Sequence, residues 1–117
     1  MLKFFILKGR HAIEVPSMQE WAEWVMANPS GHVLAQDRVG EMEISTVFIG
    51  GWIFAHRKPY PLFETMIFGP PMDGYQMRYD DYEAAMAGHD LAHSLMQGPE
   101  AFKAWLASRE EPDEAVN

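Results

Sequence analysis

Two imidazoles one helical turn apart, in Gly88-His89-Asp90-Leu91-Ala92-His93, are the side chains of this sequence best placed to do chemistry. That spacing lets a single helix hold a divalent metal. A third ligand would come from elsewhere in the chain, and Glu64 and His56 are the natural donors. In metalloproteases with this spacing, glutamate follows the first histidine and reaches a metal-bound water; Asp90 is shorter and falls on the solvent side. The alternative is structural, with His89 donating to a buried carboxylate or carbonyl and His93 at the helix margin. Glu64 is the second candidate, sharing a strand face with Leu62, Met66 and Phe68. An isolated carboxylate there must find a partner or have a raised pKa. Pairing Glu64 with His89 solves both burial problems. Such a pair is either a structural unit or the base and orienter of a small catalytic site.

The elements that must position these groups follow from pattern. Met1 to Lys8 reads as a first strand, its apolar run too brief and without a small-residue cleavage site for a signal peptide. Ser17-Met18-Gln19-Glu20 is a capping box, so a helix starts at Ser17. Met18, Trp21, Ala22 and Val25 recur at helical spacing, with Trp24 at the edge of the stripe, until Asn28-Pro29-Ser30-Gly31 stops it. His32 to Val39 and Glu43 to Ile49 form a strand pair joined near Gly40-Glu41. In the second of these, Ile44, Thr46 and Phe48 share one face and Ser45, Val47 and Ile49 the other. Gly50 to Pro61 is the longest irregular connection and, with His56-Arg57-Lys58-Pro59-Tyr60, the best loop for a site. Leu62 to Phe68 is the next strand. Asp73-Gly74 then turns the chain into alternating Tyr75, Met77 and Tyr79, a hairpin. Asp80 and Glu83 form a second capping box, opening a helix whose packed side carries both His89 and His93, His89 deeper. Gly98-Pro99 ends it and starts another with Phe102, Trp105 and Leu106 as a docking stripe.

Strand, helix, three or four strands with hairpins, then two helices predicts an α+β domain: an antiparallel or mixed sheet of 4–5 strands with helices packed mainly on one face. One domain spans residues 1–108, and residues 109–117 form an acidic, fraying tail. The absence of cysteine excludes disulfides and thiolate metal sites. The net charge of −8 is unevenly placed. Residues 73–117 hold ten acids against Arg78, Lys103 and Arg109, whereas residues 1–72 are nearly neutral. That disfavours contact with phosphate backbones and suits either solubility or a basic partner surface. No phosphate-binding glycine loop or nucleophile elbow is present.

Ser45-Thr46-Val47-Phe48-Ile49-Gly50, Leu62-Phe63-Glu64-Thr65-Met66-Ile67-Phe68-Gly69, the Asp73-Gly74 turn, and Gly88-His89 behind Tyr79 and Tyr82 together resemble a group of small uncharacterised proteins encoded by bacteriophages and prophages. The resemblance covers about Ser45 to His93. Thr46, Glu64 and His89 match it, while Gly51-Trp52-Ile53 stands where those proteins carry an Asp-His, which weakens any role for His56. It implies viral origin and action in the host cytoplasm, and brings no activity, fold or cofactor. Three functions fit the residues. The first is a non-enzymatic accessory protein, without a cofactor, that binds and inhibits a host protein through its acidic surface. The second is a small metal-dependent hydrolase or nuclease using His89 and His93 with Glu64 or His56. The third is a virion or assembly component. Neither direct nucleic-acid binding nor a membrane association is expected.

Overall fold

The computed structural model describes residues 2–51, 53–54 and 60–98, together with residues 100, 103 and 107, which are helical. The chain opens with a hairpin of β1 (Leu2–Lys8) and β2 (His11–Val15), turned at Gly9 with φ 61°. That backbone angle favours glycine, which has no β-carbon to clash. The alternation of Ala12, Ile13, Glu14 and Val15 is too short to signal a strand by itself, and this second strand goes beyond the sequence reading. Helix α1 (Met18–Ala27) follows, with the Ser17 hydroxyl accepting from the Glu20 amide at 3.2 Å as the capping box requires. It lies against β1 and β2. Its tryptophans are only half-buried: Trp21 packs on Phe4, and Trp24 meets Phe48 edge-on.

Strands β3 (Val33–Val39), β4 (Met42–Phe48), β6 (Phe63–Phe68) and β7 (Gln76–Tyr79) form an antiparallel sheet in that order. The two-residue β5 (Ile53–Phe54) pairs instead with β1, giving a separate three-stranded sheet of order β2-β1-β5. The α+β architecture is as the element order predicts, but the strands divide between two sheets rather than joining one. The sheets meet through apolar contact and one backbone bond, from the Phe5 amide to the Gly50 carbonyl at 2.7 Å. No helix among the described residues is long and apolar enough to cross a membrane.

Helix α2 (Tyr82–Met96) lies across the four-stranded sheet. Asp81 caps it by accepting from the Ala84 amide at 2.7 Å, one residue later than the Asp80 and Glu83 pattern suggests. Ala85, Gly88, His89, Ala92, Leu95 and Met96 are its buried residues, whereas Leu91 is 46% exposed, so the apolar arc is narrower than the sequence implies. Facing the helix, the strands present matched rows. Ile44 opposite Ile67 belongs to one apolar cluster with Met42, Ala92, Leu95 and Met96; Phe48 opposite Phe63 belongs to another with Phe5, Leu62 and Ala85. Between them lies one polar row, Thr46 opposite Thr65. The docking stripe expected at Phe102, Trp105 and Leu106, the tail at residues 109–117, and His56 all lie outside the described residues.

Candidate functional site

His89 enters from α2 directly above the polar row. Its side chain is 3% exposed, and both ring nitrogens are engaged. Nδ1 lies 2.7 Å from Thr46 Oγ1, and Nε2 lies 2.6 Å from Asp37 Oδ2 on edge strand β3. Thr46 Oγ1 lies in turn 2.6 Å from Thr65 Oγ1 on β6. Asp37, His89, Thr46 and Thr65 thus form one line that takes a group from β3, β4 and β6 and one from the helix. Register explains the path: Asp37 stands beside Ile44, one row before Thr46.

Burial falls unevenly along this line. Thr46 and Thr65 are wholly inaccessible, whereas the Asp37 side chain is 47% exposed. A buried hydroxyl or imidazole without a partner costs about 1–3 kcal/mol, so the central groups are stable only as a connected set. The hydrogen bond from His89 holds the Asp37 carboxyl below the ordinary carboxylate value, desolvation opposes the shift, and the nearby charges of His89 and His93 add to it. Burial raises Tyr79 above the usual phenol value, and the Thr65 hydroxyl partly offsets the rise.

The expected Glu64–His89 pair does not form. Successive strand residues point to opposite faces, so Thr65, facing α2, leaves Glu64 on the far side of the sheet. There the Glu64 carboxylate accepts from Arg78 Nε at 3.0 Å, in register across β7, and from Gln76 Nε2 in a short hydrogen bond. That arrangement solves the burial problem of Glu64 without the helix. It also removes Glu64 as a third ligand beside the two histidines. His93 lies half-buried at the helix margin, with Gln97 Nε2 3.5 Å from its ring nitrogens. Among the described residues no three His, Asp or Glu side chains are grouped as a metal site needs.

Sequence reading missed Asp37 and Thr65 as His89's company. The available signal was Thr46 and Thr65, one threonine in the middle of each of two otherwise apolar core-facing runs. The order hydroxyl, imidazole, carboxylate is also that of a nucleophile with its base and orienting acid. Thr46 is sealed between strands and helix, however, and among the described residues its hydroxyl meets Thr65 and His89.

An open cleft lies elsewhere, between the tip of the β1–β2 hairpin and the start of α2. Its volume is about 480 Å³. Phe5, Tyr60, Phe63 and Tyr82 supply aromatic walls, and Glu14, Asp80, Asp81 and Glu83 supply carboxylates. Asp81 is committed to its cap and Glu14 to Lys3 at 3.2 Å, while Asp80 and Glu83 form no ion pair among the described residues. Cations already rest on these rings: the Arg10 guanidinium lies 5.5 Å from the centre of Tyr82 and the Lys3 ammonium 5.9 Å from that of Tyr60. No protein-family model, no curated protein and no solved structure matches this chain.

Proposed function

We propose that this chain is a non-enzymatic binding protein that engages a basic surface of a partner protein, with a lysine or arginine side chain of the partner entering the cleft beside α2. The observation that carries this reading is the pairing of aromatic walls with unpaired carboxylates. Asp80 and Glu83 stand at the same opening as Tyr82 and Tyr60, which already hold the chain's own cations. A cation over an aromatic face gains about 0.5–2 kcal/mol, more as water is excluded. Neighbouring carboxylates steer such a group inward and set orientation more than raw affinity. The excess of acids over residues 73–117 gives the second half of the sequence a net negative charge that suits the same basic partner. With the likeness of Ser45 to His93 to phage and prophage proteins, the reading becomes an accessory protein that acts on a host protein in the host cytoplasm and inhibits it by covering its basic face.

A defined arginine- and lysine-rich peptide, compared with a neutral peptide of equal length, tests the cleft directly by calorimetry. The basic peptide alone should bind, with affinity falling as salt rises from about 50 to about 500 mM. Replacing Asp80 with Asn and Glu83 with Gln together should weaken it on the order of tenfold. Equal binding of both peptides, or an unchanged affinity in the double variant, rules the cleft out.

A further inference from the structure

Helix α2 packs on the face of the four-stranded sheet that carries Thr46 and Thr65, and side chains one position along each strand point the other way. Register lays that other face out in three rows. Arg38, Glu43 and Phe68 stand side by side at one end, across β3, β4 and β6. Gln36, Ser45, Met66 and Gln76 form the middle row, and Val47, Glu64 and Arg78 stand at the other end, across β4, β6 and β7. Phe68 is 47% exposed, while Val47, Ser45 and Met66 are only partly buried. An apolar centre left open to water and bounded by charged corners has the make-up of a contact surface.

Charge tells which partner this face fits. The chain as a whole carries −8, so two copies repel one another in most orientations. On this face, however, Arg38 and Arg78 balance Glu43 and Glu64. Read across the sheet the order is base, acid, acid, base, with Arg38 and Glu43 3.0 Å apart at one corner and Glu64 and Arg78 3.0 Å apart at the diagonally opposite one. Because the two corners repeat the same pair, a second copy turned about a two-fold axis lying in the face brings each arginine within reach of a carboxylate of the other copy. The middle row then meets itself, as an isologous contact requires. Among the described residues Arg38 gives its own carboxylate a bond from Nη2 and Arg78 one from Nε, and a guanidinium has further donors for a second carboxylate. A partner surface of a single sign would set two of the four charges against their own kind.

We propose that the sheet face opposite α2 is a self-association surface on which a second copy of this chain docks face to face. Four strands make a face about 20 Å across, and a contact of that footprint belongs to the weak, concentration-dependent class. The surface lies on the far side of the sheet from α2 and does not rest on the binding role proposed for the cleft.

Sedimentation velocity of the whole chain, from about 10 µM to about 1 mM, tests the proposal in the range where weak dimers form. The average mass should rise toward that of a dimer. Phe68→Asp should hold the chain monomeric, whereas Ile13→Asp, 41% exposed on β2, should leave the dimer unchanged. Arg38→Glu and Glu43→Arg each unbalance the face and should weaken self-association on the order of tenfold, and an equimolar mixture of the two should restore it. A chain that stays monomeric throughout, as a face reserved for a different protein would be, overturns the proposal. So does a dimer that survives Phe68→Asp, a dimer lost in Ile13→Asp, or a mixture that associates no better than its components. Arg38 and Glu43 are at least half-exposed, so the wild-type and charge-reversal measurements decide the matter even where Phe68→Asp does not fold.

Discussion

Thr46→Val removes one hydroxyl from a fully inaccessible position and changes the side-chain volume little, so it isolates the hydrogen-bond contribution of the buried line. Two partners lose a contact. His89 Nδ1 loses its partner in a side chain that is 3% exposed, at a cost of about 1–3 kcal/mol. Thr65 loses one neutral hydrogen bond, about 0.5–1.5 kcal/mol. The new methyl returns about 0.8 kcal/mol of burial. The expected net destabilisation is therefore about 1–4 kcal/mol, which lowers the midpoint of thermal unfolding by about 4–15 °C in a chain of this size. Thr65→Val should cost less, because Thr46 keeps His89. Urea unfolding of both variants and of the double variant completes the cycle. Residues in direct contact should show a coupling of about 0.5–3 kcal/mol. Thr46→Val within about 0.5 kcal/mol of wild type, or strict additivity with Thr65→Val, would refute the claim that these hydroxyls act as one connected unit.

Glu64→Gln and His89→Gln, by contrast, should be additive within about 0.5 kcal/mol in the same assay, because the two side chains lie on opposite faces of the sheet. Asp37 is held below its ordinary value of 3.8, so the folded state binds this proton less readily than the unfolded chain. Its contribution is complete above 3.8 and lost as pH falls through the depressed folded value; stability followed by urea midpoint should decline more in acid for wild type than for Asp37→Asn. Tyr79 is raised above 10.0, so its contribution is present below 10.0 and lost as pH rises through the folded value. Tyr79→Phe should flatten that alkaline loss, read from melting temperatures between about pH 9 and 11. Gly88→Ala gains helix propensity worth about 1 kcal/mol but overfills the space held by Tyr79, at about 1–3 kcal/mol. Thermal melts should show a net loss, relieved when Tyr79 is also shortened to leucine.

Local rules in the sequence determined much of this molecule. The N-cap at Ser17, the strand pairs around Gly40 and Asp73-Gly74, and the depth of His89 relative to His93 follow from hydrogen bonds and periodicities within a few residues, and all are present in the fold. Alternation along β4 also told that Thr46 shares a face with Ile44 and Phe48. The partner of His89 was not legible in this way. It depends on which strand lies beside which, a property of registers between segments about 20 to 50 positions apart, and the β3 edge brings Asp37 to a helix 52 residues away. Glu64 illustrates the same limit. Its burial was correctly read from its neighbours, but the strand across from it, not the helix, supplied the counter-charge through Arg78. The cleft depends on the folding back of the β1–β2 hairpin toward the start of α2, which sets Arg10 over Tyr82. Sequence determined which groups needed partners, because burial makes isolated polar atoms costly; tertiary structure decided which partners they received, because only packing brings distant segments within hydrogen-bond reach.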